Sequence, residues 1–227
     1  MFINRQQTGL LLAKQLKELI EQNIPFNKTD WIVLALPRGG LPIGLEIAIL
    51  LDCVLDVIAS KKIGAPDQPE LAIGAVTSDG IVVVDERIKE YLKVSQEYLD
   101  EEIDFLVSKT KEQESTLRRL ARIKGELDLK GKDVILVDDG VATGLTAVAA
   151  AHSLRQRGAR QLIFATPVAS YKAYNILCNE YDLVLALEIP LEFKSVGQFY
   201  KDFNQVDDLE VIRALTLAGN RQTVSQS

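Results

Sequence analysis

The sequence predicts an α/β protein: an open, mostly parallel sheet flanked by helices, with a hairpin-plus-long-helix insertion. Three observations predict it. Residues 31–36 and 54–59 are short, almost wholly apolar runs, the mark of strands covered on both faces. They enclose a helical stretch, and strand, helix, strand in that order is a right-handed crossover between parallel neighbours. Further on, Val134 to Thr146 reads Val-Ile-Leu-Val-Asp-Asp-Gly-Val-Ala-Thr-Gly-Leu-Thr, an apolar strand, two adjacent carboxylates and a Gly/Thr turn that opens into an Ala-rich helix.

Taken in order, Leu10, Leu11, Ala13, Leu16, Leu19 and Ile20 recur at helical spacing and give an N-terminal amphipathic helix that Pro25 ends. Trp31–Leu36 is the first strand, broken by Pro37-Arg38-Gly39-Gly40, and a helix spans about 42–51. Val54–Ala59 is the second strand and ends at Ser60-Lys61-Lys62. Ala72–Thr77 and Ile81–Val84 flank Ser78-Asp79-Gly80, which has the chemistry of a hairpin turn. From Ser95 to about Lys124 the chain is charged and free of Gly and Pro. Tyr98, Ile103, Leu106, Leu117, Leu120 and Ile123 give it an intermittent apolar stripe, so it reads as one long helix or a bent pair. The parallel pattern resumes with strand Val134–Val137, helix Leu145–Gln156, strand Leu162–Thr166, helix Tyr171–Glu180 and strand Leu183–Leu187. Asp207–Ala218 is a last helix, and residues 219–227 form a polar, frayed tail. The simplest organisation is one domain over 1–227, with the insertion at about 63–132.

Composition narrows the function classes. A chain of 227 residues, 47% hydrophobic, can bury a sizeable core. Its net charge of −6 argues against general nucleic-acid affinity, leaving only a local basic patch as an option. Cys53 and Cys178 lack CxxC spacing and a nearby His, so neither a zinc site nor a disulfide framework is indicated. The start lacks a signal peptide's pattern, and the most apolar stretch, 41–59, is interrupted by Glu46, Asp52 and Asp56. The expected location is the cytoplasm, with no membrane contact.

Ligands of open α/β sheets bind beyond the carboxyl ends of the strands. Three polar loops are expected there, Pro37–Gly40, Ser60–Gly64 and Asp138–Thr146. The third aims backbone N–H groups and the positive end of a helix at one point, which suits a phosphate. Asp138 and Asp139 repel that phosphate and are better placed for hydroxyls or a hydrated cation. A phosphate beside such a site describes a ribose 5-phosphate. The first two loops add Arg38, Lys61 and Lys62 as cations, and Gly39 and Gly40 allow close approach of the backbone.

These residues resemble the type I phosphoribosyltransferases, whose signature of apolar strand, two acids and Thr/Gly-rich loop matches Val134–Thr146 almost position by position. Pro37-Arg38-Gly39-Gly40 is similar to the pyrophosphate loop of the guanine and xanthine enzymes. Ser60-Lys61-Lys62-Ile63-Gly64-Ala65-Pro66 looks like the basic strand end of the adenine enzymes. Within the family the chain resembles a bacterial group of "predicted phosphoribosyltransferases", which share Pro-Arg-Gly-Gly and a segment like Glu70-Leu71-Ala72-Ile73-Gly74-Ala75-Val76.

The resemblance, which runs from about Trp31 to Leu187, implies transfer of phosphoribosyl from 5-phosphoribosyl-1-pyrophosphate to a nitrogen of a nucleobase-like acceptor. It also implies magnesium and release of pyrophosphate. Asp138 and Asp139 would hold the ribose hydroxyls, directly or through the metal's waters. Ala142, Thr143, Gly144, Leu145 and Thr146 would bind the 5′-phosphate. Arg38, the Gly39 amide and Lys61 would hold pyrophosphate, with Lys62 the alternative if the register slips by one. Arg38, Lys61, Asp138 and Asp139 would be the catalytic set. Related pyrophosphate loops carry a non-proline cis peptide, which by position falls between Pro37 and Arg38. The segment at about 188–205 corresponds to an acceptor hood, and a homodimer stays open.

One departure stands out. Purine-salvage members carry Asp at the position of Ala142, where it can take a proton. A regulator that senses the donor or a nucleotide and acts through a nucleic-acid or protein partner, with little or no transferase activity, is therefore the second reading. Plainer roles exist for several residues: Asp138-Asp139 as a helix cap, Arg38 as a turn cation, Lys61 and Lys62 as a solvated strand end. His152 reads as a packing or surface residue, and Arg118, Arg119, Arg122 and Lys124 as a solvated face, with an RNA or partner site the alternative. Phe199, Tyr200 and Phe203 either close the core or offer a stacking surface.

Overall fold

The structure, a computed structural model, describes residues 1–22, 31–123, 125 and 127–222, the last four by their backbone alone. The expected helix stop at Pro25, and Lys124, lie outside the described residues. The elements run α1 (Arg5–Gln22), β1 (Trp31–Ala35), α2 (Gly40–Leu51), β2 (Val54–Val57), β3 (Ser60–Ala65), β4 (Gln68–Thr77), β5 (Val82–Val84), α3 (Glu86–Tyr91) and α4 (Gln96–Leu120). They continue with β6 (Asp133–Val137), α5 (Leu145–Gln156), β7 (Gln161–Val168), α6 (Tyr171–Leu177), β8 (Leu183–Glu188), a 3-10 turn (Val196–Phe199) and α7 (Asp208–Gln222).

Five strands form a wholly parallel sheet in the order β2-β1-β6-β7-β8. Alternation along the strands divides the core in two. Val33, Ala35, Ile135, Val137, Ile163 and Ala165 face one way and pack on α1, α2 and α7. Ile32, Leu34, Val134, Leu136, Leu162 and Phe164 face the other way, against the alanine-rich side of α5 and against α6. Both faces being covered explains why these strands read as continuous apolar runs. The strand order reverses between β1 and β6, which pair from Trp31 with Asp133 to Ala35 with Val137. That reversal opens a crevice at their carboxyl ends.

A separate antiparallel sheet, β3-β4-β5, packs Ile63, Ile73 and Val76 against Val94 and Leu99, with Ile103, Leu106 and Val107 of α4 beside them. Its β4–β5 turn is tied to α5 by the Ser153 hydroxyl, which donates to Asp79 at 2.5 Å. The expected hairpin is β4 with β5. The expectation of a loop at Ser60–Gly64 is corrected: these residues are β3, paired antiparallel with β4 from Ser60 with Thr77 to Gly64 with Ala72. Of its residues only Lys62 is exposed, and because Ser60-Lys61-Lys62 is polar on both strand faces it reads as a strand end.

Within the expected 95–124 segment α4 is one helix, Gln96–Leu120, not a bent pair, and begins where Ser95 accepts from the Tyr98 N–H at 3.1 Å. α3, capped by Asp85, spans six residues, too few to leave a periodic signal. α6 stops at Leu177, short of Glu180, and α7 runs to Gln222, past the expected end at Ala218. The rest of the expected tail, from residue 223, lies outside the described residues. Among the described residues no helix is long and apolar enough to cross a membrane.

Phe164 tests the two-faced core. It is fully buried, with its ring 5.2 Å from that of Tyr181. Phe164→Ala is expected to cost about 3–5 kcal/mol, the usual penalty for an emptied aromatic site. Denaturant unfolding checks this, and a loss below about 1 kcal/mol contradicts the packing described.

Candidate functional site

The crevice at the β1/β6 switch is made by two chain reversals. In the first, between β1 and α2, Leu36 N–H donates to the Val137 carbonyl at 2.9 Å and Gly40 N–H to Leu36 at 3.0 Å. The Pro37–Arg38 peptide is cis, as the resemblance implies. Gly39 has ordinary right-handed helical dihedrals, so space rather than backbone freedom requires the glycine. A Cβ there would collide with the Asp139 carboxylate, and one on Gly40 would lie 2.5 Å from the Val137 carbonyl oxygen. The two loops touch through positions that have no side chain.

In the second reversal, between β6 and α5, the Asp138 carboxylate accepts from the Asp139 N–H at 2.8 Å. Val141 N–H bonds Val168 and Ser170 N–H bonds Val141, at 2.9 and 2.8 Å. The Ser170 hydroxyl fixes the Ala142 carbonyl at 2.6 Å. Gly144 then turns the chain with φ +84°, a conformation that favours glycine, and α5 starts at Leu145. The first helical bond is Val148 N–H to the Gly144 carbonyl at 2.9 Å. The amides of Leu145, Thr146 and Ala147 precede it and have no helical carbonyl to donate to. With the helix dipole they make a group of unfilled donors, a cradle suited to an anion. Ala142 and Thr143 are exposed at its rim, and Thr146 is half-buried.

Two terminal segments close on this crevice, and local sequence patterns pointed to neither contact. Arg5, the first residue of α1, donates from Nε to Asp139 Oδ2 at 2.7 Å and from Nη1 to the Asn204 carbonyl at 2.7 Å. Its guanidinium lies 4.0 Å above the Phe203 ring. The Tyr200 hydroxyl donates to the Asp139 carbonyl at 2.7 Å. Phe2, Tyr200, Phe203, Phe193 and Phe199 form one cluster. Tyr200 is buried within it, while Phe199 and Phe203 stay half-buried. The stripe of α1 announced a buried face but gave no sign that its first residue reaches an acid 134 positions away.

Burial raises the Asp138 carboxyl well above the ordinary aspartate value, and the charge of Asp139 raises it further. Burial also raises Asp139, with Arg5 opposing the shift. The two acids therefore differ: one is anchored to a guanidinium, while the other is held beside it at an electrostatic cost.

Arg38 donates from Nη2 to Asp208, in the first turn of α7, at 2.8 Å. Arg38 and Lys61 line one hollow of about 400 Å³, with Lys109, Glu112 and Asp208 around them. Strand alternation sends Lys62 to the other face, where it pairs with Glu70 at 2.6 Å. The fold thus brings Gly39 against Asp139 and Lys61 beside Arg38, and leaves Lys62 apart. His152, away from the cradle, is 2.9 Å from Glu180.

The family described as "Phosphoribosyl transferase domain" matches residues 3–183, and the chain belongs to that family. It is similar to "Putative phosphoribosyl transferase Rv0571c" of Mycobacterium tuberculosis strain H37Rv, with 34% identity over 220 residues. That match covers 96% of this chain and 47% of the relative, so the chain spans about half the length of the curated relatives it matches. Among solved structures it is similar to TT1426 from Thermus thermophilus, at 36% identity and a TM-score of 0.76, covering 95% of this chain and 98% of that one. The AQ2163 protein from Aquifex aeolicus shares the fold at 11% identity and a TM-score of 0.51, over 85% of this chain and 76% of that one.

The raised Asp138 carboxyl has a measurable consequence. Between the ordinary aspartate value of 3.8 and its raised native value, the folded state holds more protons than the unfolded state, so stability falls as pH rises through that window. Asp138→Asn keeps the acceptor for the Asp139 amide and removes the charge. Its Tm is expected to exceed that of the wild type at neutral pH, with the gap closing towards about pH 4. A lower Tm for the variant at neutral pH contradicts the assignment.

Proposed function

We infer that the crevice binds 5-phosphoribosyl-1-pyrophosphate with magnesium and transfers the phosphoribosyl group to a nitrogen of a small, nucleobase-like acceptor. The observation that carries this reading is the abutment of Gly39 on Asp139. It sets a cationic loop and a phosphate cradle on either side of one acid pair, the arrangement a sugar phosphorylated at both ends requires. The Gly144 turn and the first amides of α5, with the Thr143 and Thr146 hydroxyls, take the 5′-phosphate. Asp138 and Asp139 accept from the 2′- and 3′-hydroxyls. Arg38, the Gly39 amide and Lys61 take the pyrophosphate; the pairing of Lys62 with Glu70 on the far strand face favours Lys61 over it.

Magnesium fits the donor set. Two carboxylates supply hard oxygen ligands, and among the described residues no group of three or more His, Cys, Asp or Glu side chains is placed to hold a metal alone. Magnesium is commonly held that way, by one or two carboxylates and the substrate's own phosphates. Bound at Asp138 and Asp139, it would neutralise charge on the leaving pyrophosphate.

In the transfer, the bond from the anomeric carbon to pyrophosphate breaks and its electron pair leaves with the pyrophosphate. The acceptor nitrogen supplies the pair for the new bond. Arg38 and Lys61 stabilise the growing negative charge, and the buried acids face the growing positive charge on the sugar. Ala142 offers no proton acceptor, so an acceptor nitrogen already free of its proton fits this loop. The same alanine, and the hold of Arg5 on Asp139, support a second reading, in which the protein senses the donor and acts on a partner with little or no transfer.

Calorimetry with the donor and magnesium tests the site. Binding is expected in the wild type and lost in Asp138→Asn/Asp139→Asn; equal affinity in the two sinks the reading. Pyrophosphate release with a panel of purines and pyrimidines separates enzyme from sensor. With an accepted base, Arg38→Ala is expected to lower kcat by about 10²–10³, the usual cost of removing a donor to a developing anion.

A further inference from the structure

We propose that a second cavity, on the opposite side of α4 from the Arg38–Lys61 hollow, is a binding site for a small polyphosphate such as a nucleoside di- or triphosphate. The cavity holds about 870 Å³ and is lined by Lys111, Arg118, Arg119, Arg122 and Arg157. That volume lies within the range of about 300–1,000 Å³ typical of small-ligand sites. Five cations gather here in a chain whose net charge is −6.

The acids of the cavity are already engaged by the protein. Glu114 accepts from the Ala59 N–H at 2.7 Å and from the Ser78 hydroxyl at 2.6 Å. Asp79 accepts from the hydroxyls of Ser153 and Thr77. Two of the arginines are held in place. Arg118 donates to the Gly125 carbonyl at 2.5 Å and lies 3.3 Å from the buried Asp56, and Arg157 donates to the Leu127 carbonyl at 3.2 Å. Arg119, Arg122 and Lys111 are exposed, and among the described residues none of them pairs with a carboxylate. The cavity therefore presents an exposed cationic rim of Lys111, Arg119 and Arg122 over a floor where Arg118 and Arg157 sit beside the anchored carboxylates of Glu114 and Asp79.

Arg122 supplies an independent observation. It follows α4 at the position where a helix-ending turn normally carries glycine, with φ +59°. Arg122 N–H bonds Arg119 at 3.1 Å and Ile123 N–H bonds Arg118 at 2.9 Å, the paired bonds of that turn. An arginine in left-handed backbone is strained, as are Asp52 and Lys93 at the ends of α2 and α3, but at Arg122 the residue that bears the strain also lines the cavity. The cations at the ends of α4 and α5 also complement the helix dipoles. Arg122 is where the two roles part, because glycine would serve the turn better.

A half-open hollow of bounded volume, with its exposed cations gathered within one short reach, suits a compact polyanion better than an extended nucleic-acid backbone. The site stands apart from the donor reading, and Arg38→Ala separates the two. Calorimetry uses the full chain with inorganic triphosphate, GTP and a short single-stranded RNA. Triphosphate binding is expected to persist in Arg38→Ala and to weaken with added salt. In Arg119→Ala/Arg122→Ala it is expected to weaken by about tenfold or more, the scale of lost hydrogen bonds to a charged group. Arg122→Gly should weaken it as well while leaving Tm unchanged or raised. Tighter binding of GTP than of triphosphate identifies a nucleotide, and equal binding identifies the phosphate chain alone; either outcome sustains the site. The proposal is overturned by no triphosphate binding in Arg38→Ala, by unchanged affinity in the double variant, or by RNA that binds these arginines more tightly than triphosphate does.

Discussion

The parallel pairing of β1 with β6 sets two chain reversals side by side, and everything else at the crevice depends on how closely they meet. Because the sheet order turns back at this pair, neither loop is covered by a crossover helix. Gly39 and Gly40 then let the first loop settle directly on the second, where a methyl group would collide with Asp139 or with the end of β6. The apolar strands, buried on both faces, hold the loops at that separation. Burial of the strands and exposure of their ends are two results of the same packing.

Charge at the crevice is arranged before any ligand arrives. Arg5 holds Asp139, and Asp208 holds Arg38, so groups suited to a diol or a diphosphate rest against partners from α1 and α7. A ligand would exchange those partners for its own oxygens, with little rearrangement of the backbone. Such pre-set electrostatics are characteristic of sites that stabilise charge separation. Tyr200 adds a hydrogen bond to the Asp139 carbonyl, which ties the segment after β8 to the acid loop.

Much of this was legible in the residues, and the part that was not has a physical reason. Parallel strands buried on both faces leave unmistakable runs such as Trp31–Ala35 and Asp133–Val137. The Gly144 turn could be read because a left-handed residue opening a helix favours glycine. β3 was hidden because its first three residues are polar on both strand faces, so Ser60-Lys61-Lys62 resembles a loop until its partner β4 is known. Arg5 with Asp139 and Arg38 with Asp208 join residues far apart in the chain, and no local pattern encodes such a meeting. Between Lys61 and Lys62 the sequence left both open; strand parity, once β3 is in place, sends only Lys61 into the hollow with Arg38.

α4 serves as a partition. Lys109, Glu112, Gln113 and Thr116 look into the hollow shared with Arg38, and Lys111, Ser115 and Arg118 look into the larger one behind. A helix is stiff across its axis, so it shifts as a rod. A sideways displacement of α4 would therefore give room to one compartment at the expense of the other.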